Sequence, residues 1–216
     1  MRRDDVAVAT LCWLRYPRGD VDPSSFRTAL LAVPPSDRDV WCDRVLGLDG
    51  IPDDGPELPR GGVPYLPCPV DALLRVVEHA GVAAPDVFVD VGAGIGRATA
   101  LVHLLTGARA IGLEIQPGLV TAAHELFERM ELTTTCTMVE GDAPELGDAI
   151  VAGTVFFLYC PFGGARLGRM LDALEAVARR RTIRVACVDL PLPACPWLTP
   201  TSRADDLTVY RSNATR

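Results

Sequence analysis

Apolar positions along this chain follow two periods in alternation. Val87 to Val91 is a β-branched and aromatic run closed by Gly92, Gly94 and Gly96, the length and composition of a buried parallel strand. An apolar stripe at Ala98, Leu101, Val102 and Leu105 then keeps helical spacing, and Arg109 to Leu113 forms a second strand ending at Glu114. A helix from about Gly118 to Glu131 presents Leu119, Ala122, Ala123, Leu126 and Met130 on one face, and the strand Cys136 to Glu140 runs into Gly141-Asp142. Thr154 to Cys160 is apolar throughout and predicts a fourth strand. A helix over Ala165 to Arg179 and a strand over Thr182 to Asp189 complete five strands. Strands and helices in this order predict an α/β fold, a doubly wound, mainly parallel sheet. Only a proline-rich piece, Pro191 to Pro200, and Leu207 to Arg211 remain beyond it.

Upstream, Asp22-Pro23 supplies a cap and a first-turn proline for a helix ending near Val33. Ser36-x-x-Asp39 reads as a capping box for a helix ending near Leu48. Gly50 to Pro69 holds six prolines and four glycines, so neither regular element persists and a surface loop is expected. Val70 to Ala80 is amphipathic, with Leu73, Leu74, Val76 and Val77 on its buried side and Gly81 as its stop. The chain therefore divides into an N-terminal helical extension and loop, 1–69, and a single α/β domain, 70–216.

Composition narrows the chemistry. All 21 basic residues are arginine, which excludes lysine-based catalysis, and the net charge of −7 argues against a broad nucleic-acid footprint. The run Arg179-Arg180-Arg181 falls at a helix end, where it answers the helix dipole. The seven cysteines contain no CxxC pair and leave one over after full pairing, so neither a metal site nor a disulfide framework is signalled. Reduced thiols packed in apolar strands point to a cytoplasmic protein. No run approaches the roughly 20 apolar residues of a membrane span. His79, His103 and His124 all fall within helices, away from strand ends, and none is nominated as a base.

The glycine turn carries the candidate chemistry. Dinucleotide sites read GxGxxG, with room for a pyrophosphate, whereas this chain reads Asp90-Val-Gly-Ala-Gly-Ile-Gly. A carboxylate at Asp90 repels a pyrophosphate and suits a cationic group instead. An acid at Glu114, ending the second strand, can accept both hydroxyls of a ribose. The segment VDVGAGIGR followed by Glu114 resembles the class I S-adenosylmethionine-dependent methyltransferases, over roughly Tyr65 to Tyr210. The resemblance implies a Rossmann-like fold and S-adenosylmethionine held by Asp90, Gly92, Ala93, Gly94, Gly96, Glu114 and Ile115. Asp142 would accept from the adenine amino group, and Ala143 would supply a backbone N–H. A same-fold protein that binds the cofactor without turnover is one alternative. A nicotinamide-dependent oxidoreductase is the other, and the glycine spacing disfavours it.

The acceptor side reads less plainly. Methyltransferases acting on amide-like nitrogens carry an Asn or Asp, then Pro-Pro and an aromatic residue, after the fourth strand; this chain has Tyr159-Cys160-Pro161-Phe162. The resemblance still gives Pro161 a place in the pocket wall, Phe162 a stacking face and Tyr159 an orienting role. It makes Gly62 to Pro69 a lid, with Tyr65 either touching cofactor or substrate or packed structurally against the lid helix. GLEIQP and the Pro-Tyr-x-Pro lead-in are locally similar to the non-SET protein-lysine methyltransferases. The acceptor expected is a small molecule or a protein side chain, an amine among the options. The family's helix between strands five and six has no counterpart here.

Overall fold

The computed structural model describes residues 3–8, 22–50, 52, 54–55, 58 and 63–213. Its helices are α1 (Pro23–Ala32), α2 (Arg38–Leu46), α3 (Val70–Ala80), α4 (Arg97–Thr106), α5 (Pro117–Arg129), α6 (Gly147–Ala152) and α7 (Gly164–Ala178). Its strands are β1 (Val87–Val91), β2 (Arg109–Glu114), β3 (Cys136–Glu140), β4 (Val155–Tyr159), β5 (Arg184–Val188), β6 (Leu198–Ala204) and β7 (Leu207–Ser212). They form one sheet in the order β3-β2-β1-β4-β5-β7-β6. The first five are parallel, and β7 enters antiparallel to β5 with β6 on the outer edge. The reversal of strand order between β1 and β4 opens a crevice at their carboxyl ends, where ligands bind in such sheets.

Both faces of the sheet are buried, which is why its strands read as continuous apolar runs. On one face Phe88, Val155, Phe157 and Ala186 pack under α3, α4 and α5. The N-terminal helices join this same core through Phe26, Leu30 and Trp41, all fully buried, with the Phe26 and Trp41 rings 5.7 Å apart. The other face carries Val89, Leu113, Phe156 and Leu158 beneath Met170 and Leu174 of α7.

One expectation is corrected. Ser36 does not form a capping box: residues 35–37 make a 3-10 turn, no side chain caps α2, and Asp39 faces away from its own helix start. The proline-rich piece runs into a strand, Leu198–Ala204, which completes the terminal hairpin with β7. Pro200 is tolerated because β6 is an edge strand, and the register shift beside it absorbs the missing donor. The short helix α6 went unpredicted, its six residues giving too little periodicity. Elsewhere the boundaries differ by one or two residues, and α3 coincides with its expected span.

The extension is fastened to the sheet by Arg97, the first residue of α4. Its guanidinium, 4% exposed, donates from Nε to Asp43 Oδ1 at 2.5 Å, from Nη2 to Asp39 Oδ1 at 2.9 Å and from Nη1 to the Cys68 carbonyl at 2.8 Å. Asp39 Oδ1 also accepts the Val70 N–H at 3.0 Å, starting α3. The Arg run behaves locally: Arg179 pairs with Glu175, and Arg181 donates to the carbonyls of Val151 and Gly153. Asp39 and Asp43, with 50% and 39% of their side chains exposed, can rehydrate when released; Arg97 cannot. The double variant Asp39→Asn, Asp43→Asn should therefore cost about 3 kcal/mol, more than Arg97→Met, as measured by urea unfolding.

Candidate functional site

The carboxyl ends of β1 to β5 meet around a cavity of about 230 Å³. Gly92, Glu114 and Ile115 line it from β1 and β2, Gly141, Asp142 and Ala143 from β3, and Tyr159 to Phe162 from β4. Asp189 closes it from β5, while Pro64, Tyr65 and Leu66 close the side facing the extension.

The glycine turn is built as its spacing demands. Gly92, Gly94 and Gly96 have φ of 79°, 55° and 72°, the left-handed region that side chains disfavour. None of the three has room either: a Cβ on Gly92 would lie 2.8 Å from Pro161 Cβ, one on Gly94 2.0 Å from the Tyr65 ring, and one on Gly96 2.7 Å from the Phe127 ring. The Gly92 and Ala93 N–H groups donate to the Leu113 carbonyl, tying the turn to β2.

Glu114 holds that turn from below. Its Oε2 accepts the Gly94 N–H at 2.9 Å, and its Oε1 accepts the N–H groups of Ile115 at 2.8 Å and Gln116 at 2.9 Å. A carboxylate offers about four lone-pair positions, so one is left over at the cavity wall. Asp90 differs. It is 3% exposed, accepts from Thr99 Oγ1 at 3.1 Å, and does not line the cavity. Burial, reinforced by the nearby Glu114 charge, pushes its pKa up to about 7. Ala93, Gly94 and Gly96 likewise do not line the cavity: Tyr65 stands over Gly94, and Gly96 is packed against Phe127.

Asp142 is at the cavity but already paired: Arg166 Nε lies 2.9 Å from Oδ1 and Arg169 Nη2 lies 3.3 Å from Oδ2. Arg166 also covers the Phe162 ring, its guanidinium carbon 5.5 Å from the centroid. Phe162 is 7% exposed and packs with Leu167 and Met170 in the second core. It thus stands at the Asp142 end of the cavity with one face taken. Tyr159 and Pro161 remain at the open side, between Gly92 and Asp189. His79 and His103 bond to Ser202 and to the Ala108 carbonyl, outside the cavity.

Several residues that shape the site were not foreseen. Gln116 clamps the loop ahead of the lid, with Nε2 donating to Asp54 Oδ1 at 2.9 Å and Oε1 accepting the Gly55 N–H at 2.7 Å. Asp54 Oδ1 in turn accepts the Tyr65 N–H at 2.9 Å. Cys160 and Asp189 both have positive φ, 42° and 50°, and the Cys160 thiol donates to the Asp189 carbonyl at 2.8 Å. A basic residue one turn past Gly163-Gly164 is a usable signal for Arg166; its pairing across the sheet to Asp142 is not local and leaves none.

No protein-family model and no curated protein matches the chain. Solved structures do. An RNA methyltransferase from Salinibacter ruber, solved with S-adenosyl-L-homocysteine, is 27% identical, with a TM-score of 0.55 over 68% of this chain and 92% of that one. The Escherichia coli protein yhhF, provisionally named a methyltransferase, is 17% identical with a TM-score of 0.56 over 76% and 92%. A Staphylococcus aureus protein, provisionally named a caffeoyl-CoA O-methyltransferase, is 10% identical with a TM-score of 0.53 over 70% and 86%. Seven strands in the order 3-2-1-4-5-7-6, a glycine turn after the first and an acid ending the second agree with these likenesses. The chain has the fold of the class I S-adenosylmethionine-dependent methyltransferases.

Proposed function

We propose that this chain transfers the methyl group of S-adenosylmethionine to a small-molecule or protein side-chain acceptor seated at the ends of β4 and β5. The observation that carries the reading is Glu114: one carboxylate fixes the glycine turn through Gly94 and also lines the cavity. The residues fit the cofactor in parts. Glu114 and Ile115 suit the ribose, Ala143 and Asp142 suit the adenine edge, and the glycine turn with Asp90 suits the amino-acid end. S-adenosylmethionine supplies an activated sulfonium methyl, so the protein has chiefly to align the acceptor with it. Pro161, packed on Gly92, and Tyr159 are placed to do this.

The acceptor need not avoid nucleic acid. The Salinibacter ruber protein acts on RNA, and net charge governs non-specific binding rather than recognition by a pocket. The expectation against nucleic acid is therefore not carried forward, and an RNA base is a second reading. Tyr159-Cys160-Pro161-Phe162, without the Asn or Asp of amide-nitrogen methyltransferases, favours the first. Incubating the protein with radiolabelled S-adenosylmethionine and a panel of amines, peptides and RNA separates them by the class that takes up label. S-adenosylhomocysteine at 100 times its dissociation constant should stabilise the fold by about 2.7 kcal/mol, and NADH should not.

Glu114→Ala should lower affinity for S-adenosylhomocysteine by about 10- to 100-fold in calorimetry. It should also lower stability, since three backbone N–H groups lose their acceptor, so binding is to be measured on protein shown to be folded. Unchanged affinity would remove Glu114 from the site. Asp90 generates a pH prediction. Its folded pKa of about 7 lies above the unfolded 3.8, so between these values the folded state binds the extra proton. Stability should therefore fall as pH rises from about 4 to 7, by up to roughly 1.4 kcal/mol per unit. Asp90→Asn should flatten that slope in denaturation series taken across the range.

A further inference from the structure

We infer that Tyr65 is a side-chain gate on the cofactor site, its ring occupying the space over Gly94 that the amino-acid end of the cofactor needs. The inference rests on the cofactor reading above. A Cβ placed on Gly94 would meet Cε2 and Cδ2 of Tyr65 at 2.0 and 2.1 Å, so the ring lies directly against the glycine backbone. Behind it sits Asp90, the acid that suits a cationic amino group, 3% exposed and bonded only through Thr99. While the ring is in place no ligand atom reaches Asp90 or the face of Gly94.

The gate is held closed by packing and weakened by its own hydroxyl. The Tyr65 hydroxyl is buried and has no hydrogen-bond partner. A buried hydroxyl in that state has given up its water without recompense, and rotation outward restores it. The backbone has no need to move. Its N–H is pinned to Asp54 Oδ1, which Gln116 grips from the residue pair after Glu114, so the side chain turns on a fixed stem. A binding site open in only part of the population binds with an affinity reduced by that fraction. Removing the ring should raise it, and removing only the hydroxyl should lower it, because the closed state then loses its unsatisfied group.

Stopped-flow association of S-adenosylhomocysteine tests this with the full-length protein and its Tyr65→Ala, Tyr65→Leu and Tyr65→Phe variants, each checked for folding by its melting temperature. Association at least tenfold faster in Tyr65→Ala and Tyr65→Leu, and at least threefold slower in Tyr65→Phe, is the expected result. Two truncating variants guard against one of them failing to fold. Association unchanged or slowed in the truncated variants would make Tyr65 a wall of the bound cofactor and overturn the gate. A Tyr65→Phe variant that associates faster than the unaltered protein would overturn the role of the hydroxyl. Absence of binding by every form, the unaltered protein included, would refute the cofactor reading and the gate with it.

Discussion

A single buried cation ties the glycine turn to α2 and to the loop that leads into α3. Arg97 opens α4 directly after the glycine turn, where a positive charge opposes the helix dipole and where burial strips its water. Those penalties are offset by Asp43, Asp39 and the Cys68 carbonyl, three groups from two separate segments of the extension. The same contacts that satisfy the charge fix α2, the end of the lid loop and the start of α3 relative to Gly96. The lid beside the cavity is thereby referenced to the turn it covers.

Beneath the turn, two acids share one neighbourhood on unequal terms. Glu114 accepts three backbone N–H groups, while Asp90 is held through Thr99 alone and lies deeper. The proximity of Glu114 adds to the desolvation that lifts Asp90 to about 7. Glu114 is thus a structural anchor of the turn, a duty that sequence spacing alone does not reveal. Asp90 is poised for a cation: a ligand amine brought beside it would restore the carboxylate and displace its proton.

What could be read from the chain was what is local. The strands, the left-handed glycines and the acid ending β2 follow from runs and spacings a few residues long, whereas the order β3-β2-β1-β4-β5 comes from how the elements pack. Asp39 shows the opposite case. Three residues after a serine it fits a capping box, yet its partner Arg97 stands 58 residues away and wins because a buried charge demands more than a helix end. Pro200 similarly argued against a strand that exists because it is an edge. The Tyr65 ring lines the cavity and presses on Gly94, a contact 29 residues away that its own loop does not announce. Phe162 was given a stacking face that Arg166 already occupies, a contact set by the position of α7 and not by the loop sequence.

The ends of β4 and β5 are tied to each other. Cys160 and Asp189, neither of them glycine, both hold left-handed backbone at neighbouring strand ends, and the thiol of one donates to the carbonyl of the other. Such conformations persist only where the surroundings over-determine them. Here the parallel pairing of β4 and β5 and the Asp189 N–H bond to the Asp206 carbonyl supply that constraint. Pro161 is thereby pressed on Gly92, so the acceptor wall and the glycine turn are in contact and cannot drift apart. Methyl transfer asks for alignment above acid–base chemistry. A wall that rests on the turn meets that demand without the Asn or Asp that the loop lacks, and without any of the three histidines.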